Sequence, residues 1–327
     1  MNHSTFKSFT FGIGLFFTLP LVYGNSSSPS SSDGTLYINK SKTHKVAPVK
    51  YGFHYEEIGM MGEGALHAEL IRNRSFEEAT PPAGLSVKNG LYENVPAPRV
   101  KEKKVFQADP LIGWTTYPLS YTPVFISRTD ENPMSGENKY SMLVNVTEDI
   151  ANHPDALILN RGYYGMNLKT DTSYRLSLFL KNRNYSAPLR VFLVDERGQR
   201  VSNVIEVNVG NRDWTKYTGE LKPEKNVRRG MFAIQPMSKG QFQIDVVSLF
   251  PSDTWNDGKS VFRKDIVQNL KEFSPSFIRF PGGCIVHGVN EETMYHWKKT
   301  LGPIENRPGQ WSKWAPYYRT DGIGYHE

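Results

Sequence analysis

Two short motifs hold the residues of this chain whose types and spacing suit binding chemistry. The first is Tyr51-Gly-Phe-His-Tyr-Glu-Glu-Ile58, which places Glu56 and Glu57 near the end of a predicted strand. The second is Arg279-Phe-Pro-Gly-Gly-Cys284, which begins where another predicted strand ends. An arginine at the end of a buried strand needs an anion or a polar ligand beside it. Two glycines let the backbone turn closely beneath a bound molecule. The motifs therefore predict a polar-ligand site, with an internally salt-bridged structural turn as the alternative.

Glu56 and Glu57 do not have the spacing of a catalytic pair. Adjacent strand residues point to opposite faces, so the two carboxylates cannot flank one substrate, and at most one of them faces a site. That glutamate either reaches a sugar hydroxyl or belongs to a solvent-exposed pair. Cys284 and His287 suggest a thiol nucleophile with a base, but nothing orients such a pair, and a buried small hydrophobe is the favoured interpretation of Cys284.

Composition excludes several classes of function. The chain has 327 residues and a net charge of +6, but its basic residues are dispersed among acidic ones, which argues against nucleic-acid binding. A single cysteine rules out an internal disulfide framework, and the eight histidines lack metal-ligand spacing. There is no phosphate-loop or dinucleotide motif. No metal and no cofactor is predicted.

The pattern along the chain predicts five regions. Residues 1–24 have the layout of a secretory signal peptide, since their apolar run is too short to span a membrane, and residues 25–34 form a Ser-rich linker. Residues 35–75 contain a strand, a loop and a helix over 65–73. Residues 76–257 contain many short strands, such as 174–180, 189–194, 204–209 and 242–249, which are typical of an antiparallel sandwich. Residues 258–327 return to a helix and a strand. We predict an exported protein without a membrane span in its mature form.

The last of these regions, residues 258–327, sets the expected positions of Arg279 and Cys284. Apolar residues at helical spacing predict a helix that Asp257 or Ser260 caps and that stops before Pro275. A buried strand over 276–280 follows. Because a complete sandwich would interrupt its host, the regions on either side of it should form one α/β domain, either a small layer or the front part of a longer protein.

The last stretch, Trp297 to Tyr318, is rich in aromatic residues and turn formers. Aromatic faces beside Arg, Asn and Glu suit sugar rings, which offer C–H faces and a rim of hydroxyls. Core aromatics under a long loop are the alternative.

With these motifs in their order, the chain resembles the α-L-arabinofuranosidases of glycoside hydrolase family 51. The resemblance rests on the two motifs above and on three further segments, Ala68 to Glu77, Trp297 to Pro308 and Thr320 to Tyr325. It implies the first strands of a (β/α)8 barrel, interrupted by a β-sandwich of the galactose-binding or carbohydrate-binding type. It also implies retaining hydrolysis of terminal α-L-arabinofuranosyl groups from arabinan, arabinoxylan or arabinogalactan.

The resemblance also assigns roles to individual residues. Glu56 resembles a first-strand glutamate that holds arabinose hydroxyls, Arg279 an arginine beside the nucleophile, and Cys284 a position that lines the sugar. A further group is expected to border the entrance: Asn306, Arg307 and Trp311. The family's acid/base and nucleophile lie on later barrel strands, so no catalytic residue is assigned within these 327 residues, and the chain alone is expected to be inactive. The alternative function is a non-catalytic glycan-binding protein that acts through the sandwich.

Overall fold

The computed structural model describes residues 38–39, 41, 43, 45, 49, 51–57, 60–80, 87–88, 91–93, 105–107, 109–288, 291, 293–312 and 317–327. The predicted signal peptide and Ser-rich linker lie outside them. The chain divides into two units, Met1–Ala47 and Pro48–Glu327, and every feature below belongs to the second.

Strands dominate the described residues. Their bounds are β1 Phe53–His54, β2 Val87–Lys88, β3 Leu91–Glu93, β4 Val105–Gln107, β5 Trp114–Tyr117, β6 Val124–Thr129, β7 Ser141–Val146, β8 Leu157–Asn160, β9 Met166–Leu168, β10 Tyr174–Asn182, β11 Pro188–Val194, β12 Ile205–Asn208, β13 Thr215–Leu221, β14 Val227–Gln235, β15 Gly240–Pro251, β16 Ile278–Arg279, β17 Gln310–Ser312 and β18 Tyr317–Arg319. The α-helix α1 spans Lys264–Glu272, and short helical turns occupy Gly62–Leu66, Ile150–Asn152, Trp297–Thr300 and Ile304–Asn306.

Two antiparallel sheets form the centre of the second unit. One has the strand order β13-β10-β15-β7-β6, and the other has the order β12-β11-β14-β8-β5, with β9 added against β14. Strand β10 shows why they pack together: Leu176, Leu178 and Leu180 are at most 3% exposed, and the residues between them, Ser177 and Phe179, are less buried. They share one core with residues of the other sheet such as Val191 and Phe232. The strands predicted within 174–249 are confirmed, each within two residues of its expected ends.

β1 and β16 form a two-stranded sheet of their own. β1 pairs with β16 in parallel, with Phe53 opposite Ile278 and His54 opposite Arg279. The helix α1 lies between these strands in the sequence, after the two sheets. The chain thus runs strand, two-sheet unit, helix, strand.

The helix predicted over 65–73 is wrong. A single π-helical turn ends at Leu66, and the chain beyond it is extended. The amide of Ala68 donates to the carbonyl of Val261 at 2.8 Å, and the amide of Leu70 donates to that of Leu249 at 3.1 Å. These amides are thus bonded to distant segments instead of to carbonyls four residues back.

Three local predictions around α1 also need correction. The helix is capped by neither Asp257 nor Ser260, because Arg263 is its N-cap residue and no side chain caps it. The strand before Pro281 is short, and it is not buried, since Ile278 is 65% exposed. Cys284 is exposed as well, which contradicts its interpretation as a buried hydrophobe.

Candidate functional site

The parallel pairing of β1 and β16 brings the two sequence motifs together. The amide of Tyr55 donates to the carbonyl of Arg279 at 2.9 Å, directly beyond the paired residues. Because carboxyl ends of parallel strands meet at one edge, Glu56 and the loop after Phe280 lie side by side. The amide of Gly283 donates to Oε1 of Glu56 at 3.0 Å, across 227 residues of sequence.

The carboxylate of Glu56 is held in one orientation. Its Oε1 carries the Gly283 hydrogen bond, and its Oε2 lies 3.9 Å from Nε2 of His54. Gly282 has a φ of 141°, and a Cβ there would come within 2.5 Å of Cγ of Glu56. Only glycine allows this approach, so the turn that the sequence places after Pro281 supports Glu56 directly.

Glu56, His54, Arg279 and Cys284 outline what we call the open face of the strand pair. His54 and Arg279 are paired in register, so their side chains point to the same side. Arg279 and Cys284 are exposed, and the guanidinium of Arg279 has no hydrogen bond or ion pair within the described part of the chain. An exposed cation and a fixed carboxylate on the same side of the strand pair are suited to a ligand that carries several hydroxyls.

The opposite side of the strand pair is a closed polar cluster. Glu57 is 5% exposed, and its Oε2 accepts a hydrogen bond of 2.9 Å from the hydroxyl of Tyr55. Glu56 and Glu57 therefore diverge, as the strand alternation predicts. Glu63 accepts hydrogen bonds from the amide and the hydroxyl of Thr320, at 2.6 and 2.8 Å.

Burial shifts the proton affinities in this polar cluster. Desolvation, followed by the charge of Glu57, raises the pKa of Glu63 from 4.5 to about 8. Burial also raises the pKa of Tyr55 well above its usual value, with Glu57 contributing. The cavity beside Tyr55, Glu57 and Glu63 has a volume of about 20 Å³, which is enough for a water molecule but too small for a sugar.

Comparison with known proteins shows which family this chain is similar to. The family model described as α-L-arabinofuranosidase 1 domain matches residues 269–327. The chain is 28% identical to α-L-arabinofuranosidase 1 of Arabidopsis thaliana over 282 residues, which cover 85% of this chain and 37% of that protein. It is 27% identical to the extracellular exo-α-L-arabinofuranosidase of Streptomyces chartreusis, over 85% of this chain and 30% of that protein. The arabinose-bound structure of the MgGH51 α-L-arabinofuranosidase has a TM-score of 0.69 and 25% identity, and the match covers 88% of this chain and 43% of that one.

These matches support a fragment of a family 51 α-L-arabinofuranosidase. The chain spans 30 to 43% of the length of the curated relatives named "α-L-arabinofuranosidase" that it matches.

The side chain of Arg307 has partners inside the protein. It is 7% exposed, and its guanidinium donates to the carbonyls of Gly302 and Asp321 at 3.0 and 2.9 Å. It also forms an ion pair of 2.5 Å with Glu327. The structure therefore shows Arg307 as a clamp between two backbone segments, and its sugar-contact role stays a prediction.

Asn306 and Trp311 differ in their environments. Asn306 is exposed at the end of the turn Ile304–Asn306, whereas Trp311 is 6% exposed within β17. Trp297, which begins the aromatic stretch, forms an exposed pair with Tyr325. The centroids of their rings are 5.1 Å apart.

Two features are not found among the described residues. No group of three or more of their His, Cys, Asp or Glu side chains is arranged to hold a metal ion. No helix in the same part of the chain is long and apolar enough to cross a membrane.

Proposed function

We propose that this chain forms the arabinose-binding part of an exported, retaining α-L-arabinofuranosidase. The observation that carries the proposal is the fixed carboxylate of Glu56 on the same side of the strand pair as the exposed side chain of Arg279. Oε2 of Glu56 accepts hydrogen bonds from sugar hydroxyls, while Gly283 holds Oε1. Arg279 donates to ring substituents on the same side, and Cys284 lines the bound sugar.

The proposed fold around the site is the opening part of a (β/α)8 barrel. Support comes from the parallel pair β1 and β16, with α1 preceding the second strand. The two antiparallel sheets are proposed to be an inserted sandwich of the carbohydrate-binding type, between the first and second barrel strands. Asn306, Arg307 and Trp311 are proposed to shape the entrance, Arg307 through the segments that it clamps.

Hydrolysis is proposed for the whole protein and not for these 327 residues. Retention requires two carboxyl groups about 5 to 5.5 Å apart on either side of the scissile bond. Glu56 is the carboxylate that we place on the open face, and its neighbour Glu57 is buried on the other side. Terminal α-L-arabinofuranosyl groups of arabinan, arabinoxylan or arabinogalactan are the proposed substrates, and residues 1–24 are the proposed export signal.

A turnover assay tests the division of roles. The purified chain is incubated with an aryl α-L-arabinofuranoside, and release of the phenol is measured against a vector control. We expect no release above the control. Turnover that a point substitution within residues 35–327 abolishes would contradict the proposal.

Affinity electrophoresis separates the proposal from a glycan-binding protein that acts through the sandwich. The whole chain and its Glu56→Gln variant are run in gels containing arabinoxylan. We expect Glu56→Gln to reduce any retardation of the band. Equal retardation of the two proteins would favour the sandwich as the binding element and count against the open face.

A further inference from the structure

A second cavity lies away from the open face, between the five-stranded sheet and the C-terminal segment. Its volume is about 230 Å³. One wall is the outer surface of β10, β13 and β15, including Ser177, Phe179 and Lys216. The facing wall includes Ile304 and Glu305 of a helical turn. Ligand sites occur preferentially at such junctions between structural units. We call this space the interface cavity.

Aliphatic and aromatic side chains supply most of the cavity surface. Phe179 and Phe250 come from the sheet, and the other apolar members are Val246, Val261 and Ile304. The ring of Phe250 is fixed from behind by the imidazole of His67, with ring centroids 5.2 Å apart. Rigid aromatic surfaces of this kind favour a ring with an apolar face.

The charged groups around the cavity are balanced. Nζ of Lys216 lies 3.7 Å from a carboxylate oxygen of Glu305, and Arg307 is paired with Glu327. Two cations thus meet two anions, so the lining favours a neutral ligand over an ion. Lys216 and Glu305 are partly exposed and offer a donor and an acceptor to ligand hydroxyls.

Two serine hydroxyls complete the polar lining. The hydroxyl of Ser248 donates to Glu69 at 2.5 Å and keeps its acceptor capacity. The hydroxyl of Ser177 is the second one in the lining. A cavity of about 150 Å³ is enough to hold a benzene ring. The larger volume of about 230 Å³ leaves space for a ring with hydroxyl substituents.

We propose that the interface cavity binds one neutral sugar ring, separately from the arabinose proposed for the open face. The ring's C–H face lies against Phe179 and Phe250. Its hydroxyls are bonded by Ser177, Lys216 and Glu305. A ligand bound in this cavity would contact both the five-stranded sheet and the segment that contains Arg307.

Isothermal titration of the whole chain with D-xylose, L-arabinose and D-galactose, each up to 50 mM, tests this proposal. The decisive variant is Ser177→Met, which fills the cavity from the strand side. Ser127→Met is the matched control, because Ser127 is exposed on β6 and does not line the cavity. We expect at least one of the sugars to bind the wild type and the control, and its affinity to fall at least tenfold in Ser177→Met.

Further variants identify which site a measured signal comes from. Glu56→Gln should leave binding in the interface cavity unchanged, and a signal lost only in that variant would assign the sugar to the open face and overturn the proposal. Ile304→Phe fills the cavity from the opposite wall and replaces Ser177→Met if that variant does not fold. Benzyl alcohol is titrated in addition as an apolar ring that lacks the hydroxyls of a sugar. The proposal would be overturned as well if none of the three sugars bound, or if benzyl alcohol bound and the sugars did not.

Discussion

Glu63 makes the stability of this protein depend on pH. Its carboxyl is buried and accepts two hydrogen bonds from Thr320, and burial together with Glu57 raises its pKa from 4.5 to about 8. Between these values the folded chain keeps a proton that the unfolded chain releases. The contribution of Glu63 to the unfolding free energy is therefore fully present below pH 4.5 and is lost as the pH rises through about 8.

The size of this effect follows from the two pKa values. A difference of about 3.5 between 4.5 and about 8, at about 1.4 kcal/mol for each pH unit, makes on the order of 5 kcal/mol of unfolding free energy. Glu63→Gln keeps an oxygen acceptor for Thr320 but cannot ionise. We expect the variant to lose about 4 kcal/mol less stability than the wild type between pH 5 and pH 8.

Urea unfolding followed by circular dichroism, at several pH values from 5 to 8.5, measures this difference. Burial also raises the pKa values of Glu69, Glu77 and Asp321, so the wild type should lose stability over this range for several reasons. The difference between the wild type and Glu63→Gln isolates one carboxyl. Glu196→Gln, at an exposed position, serves as the control and should behave as the wild type does. Parallel curves for wild type and Glu63→Gln would refute the reasoning.

Two further substitutions test the packing that supports the site. Arg307→Met removes a buried guanidinium and leaves Glu327 and two carbonyls without their donor, so we expect a loss of about 3 to 5 kcal/mol in urea unfolding. Arg307→Lys should recover only part of it, and full recovery would show that charge alone matters. Leu178→Ala opens a cavity in the fully buried core and should cost about 2 to 5 kcal/mol. Leu119→Ala, at a position 80% exposed, should change the unfolding free energy by less than about 0.5 kcal/mol, and equal effects of the two would contradict the core assignment.

The alternation of apolar and polar residues was sufficient to predict the main strands. The patterns over 174–180 and 242–249 correspond to β10 and β15. β10 begins at the predicted residue and ends two residues later than predicted, and β15 is two residues longer at each end. Strands with one face on a core carry this period of two in their own sequence, so no distant information is needed to find them.

The segment after Leu66 shows where local patterns fail. Its apolar residues have a spacing compatible with a helix, but its amides are bonded to Val261 and Leu249, about 180 or more residues away. Such partners are invisible in a local window. The Glu63–Thr320 contact spans 257 residues and was missed for the same reason. The proximity of Glu56 and Gly283 was predictable, because two parallel strands place their ends at one edge.

The central claim is that Glu56 and Arg279 hold one arabinofuranosyl group between them, and isothermal titration with methyl α-L-arabinofuranoside tests it most directly. Wild type, Glu56→Gln, Arg279→Gln and the surface control Glu196→Gln are compared. Loss of a hydrogen bond to a charged group costs about 1.5 to 3 kcal/mol, so each site variant should bind at least tenfold more weakly while the control binds normally. Unchanged affinity in either site variant, or no measurable binding by the wild type, would contradict the account.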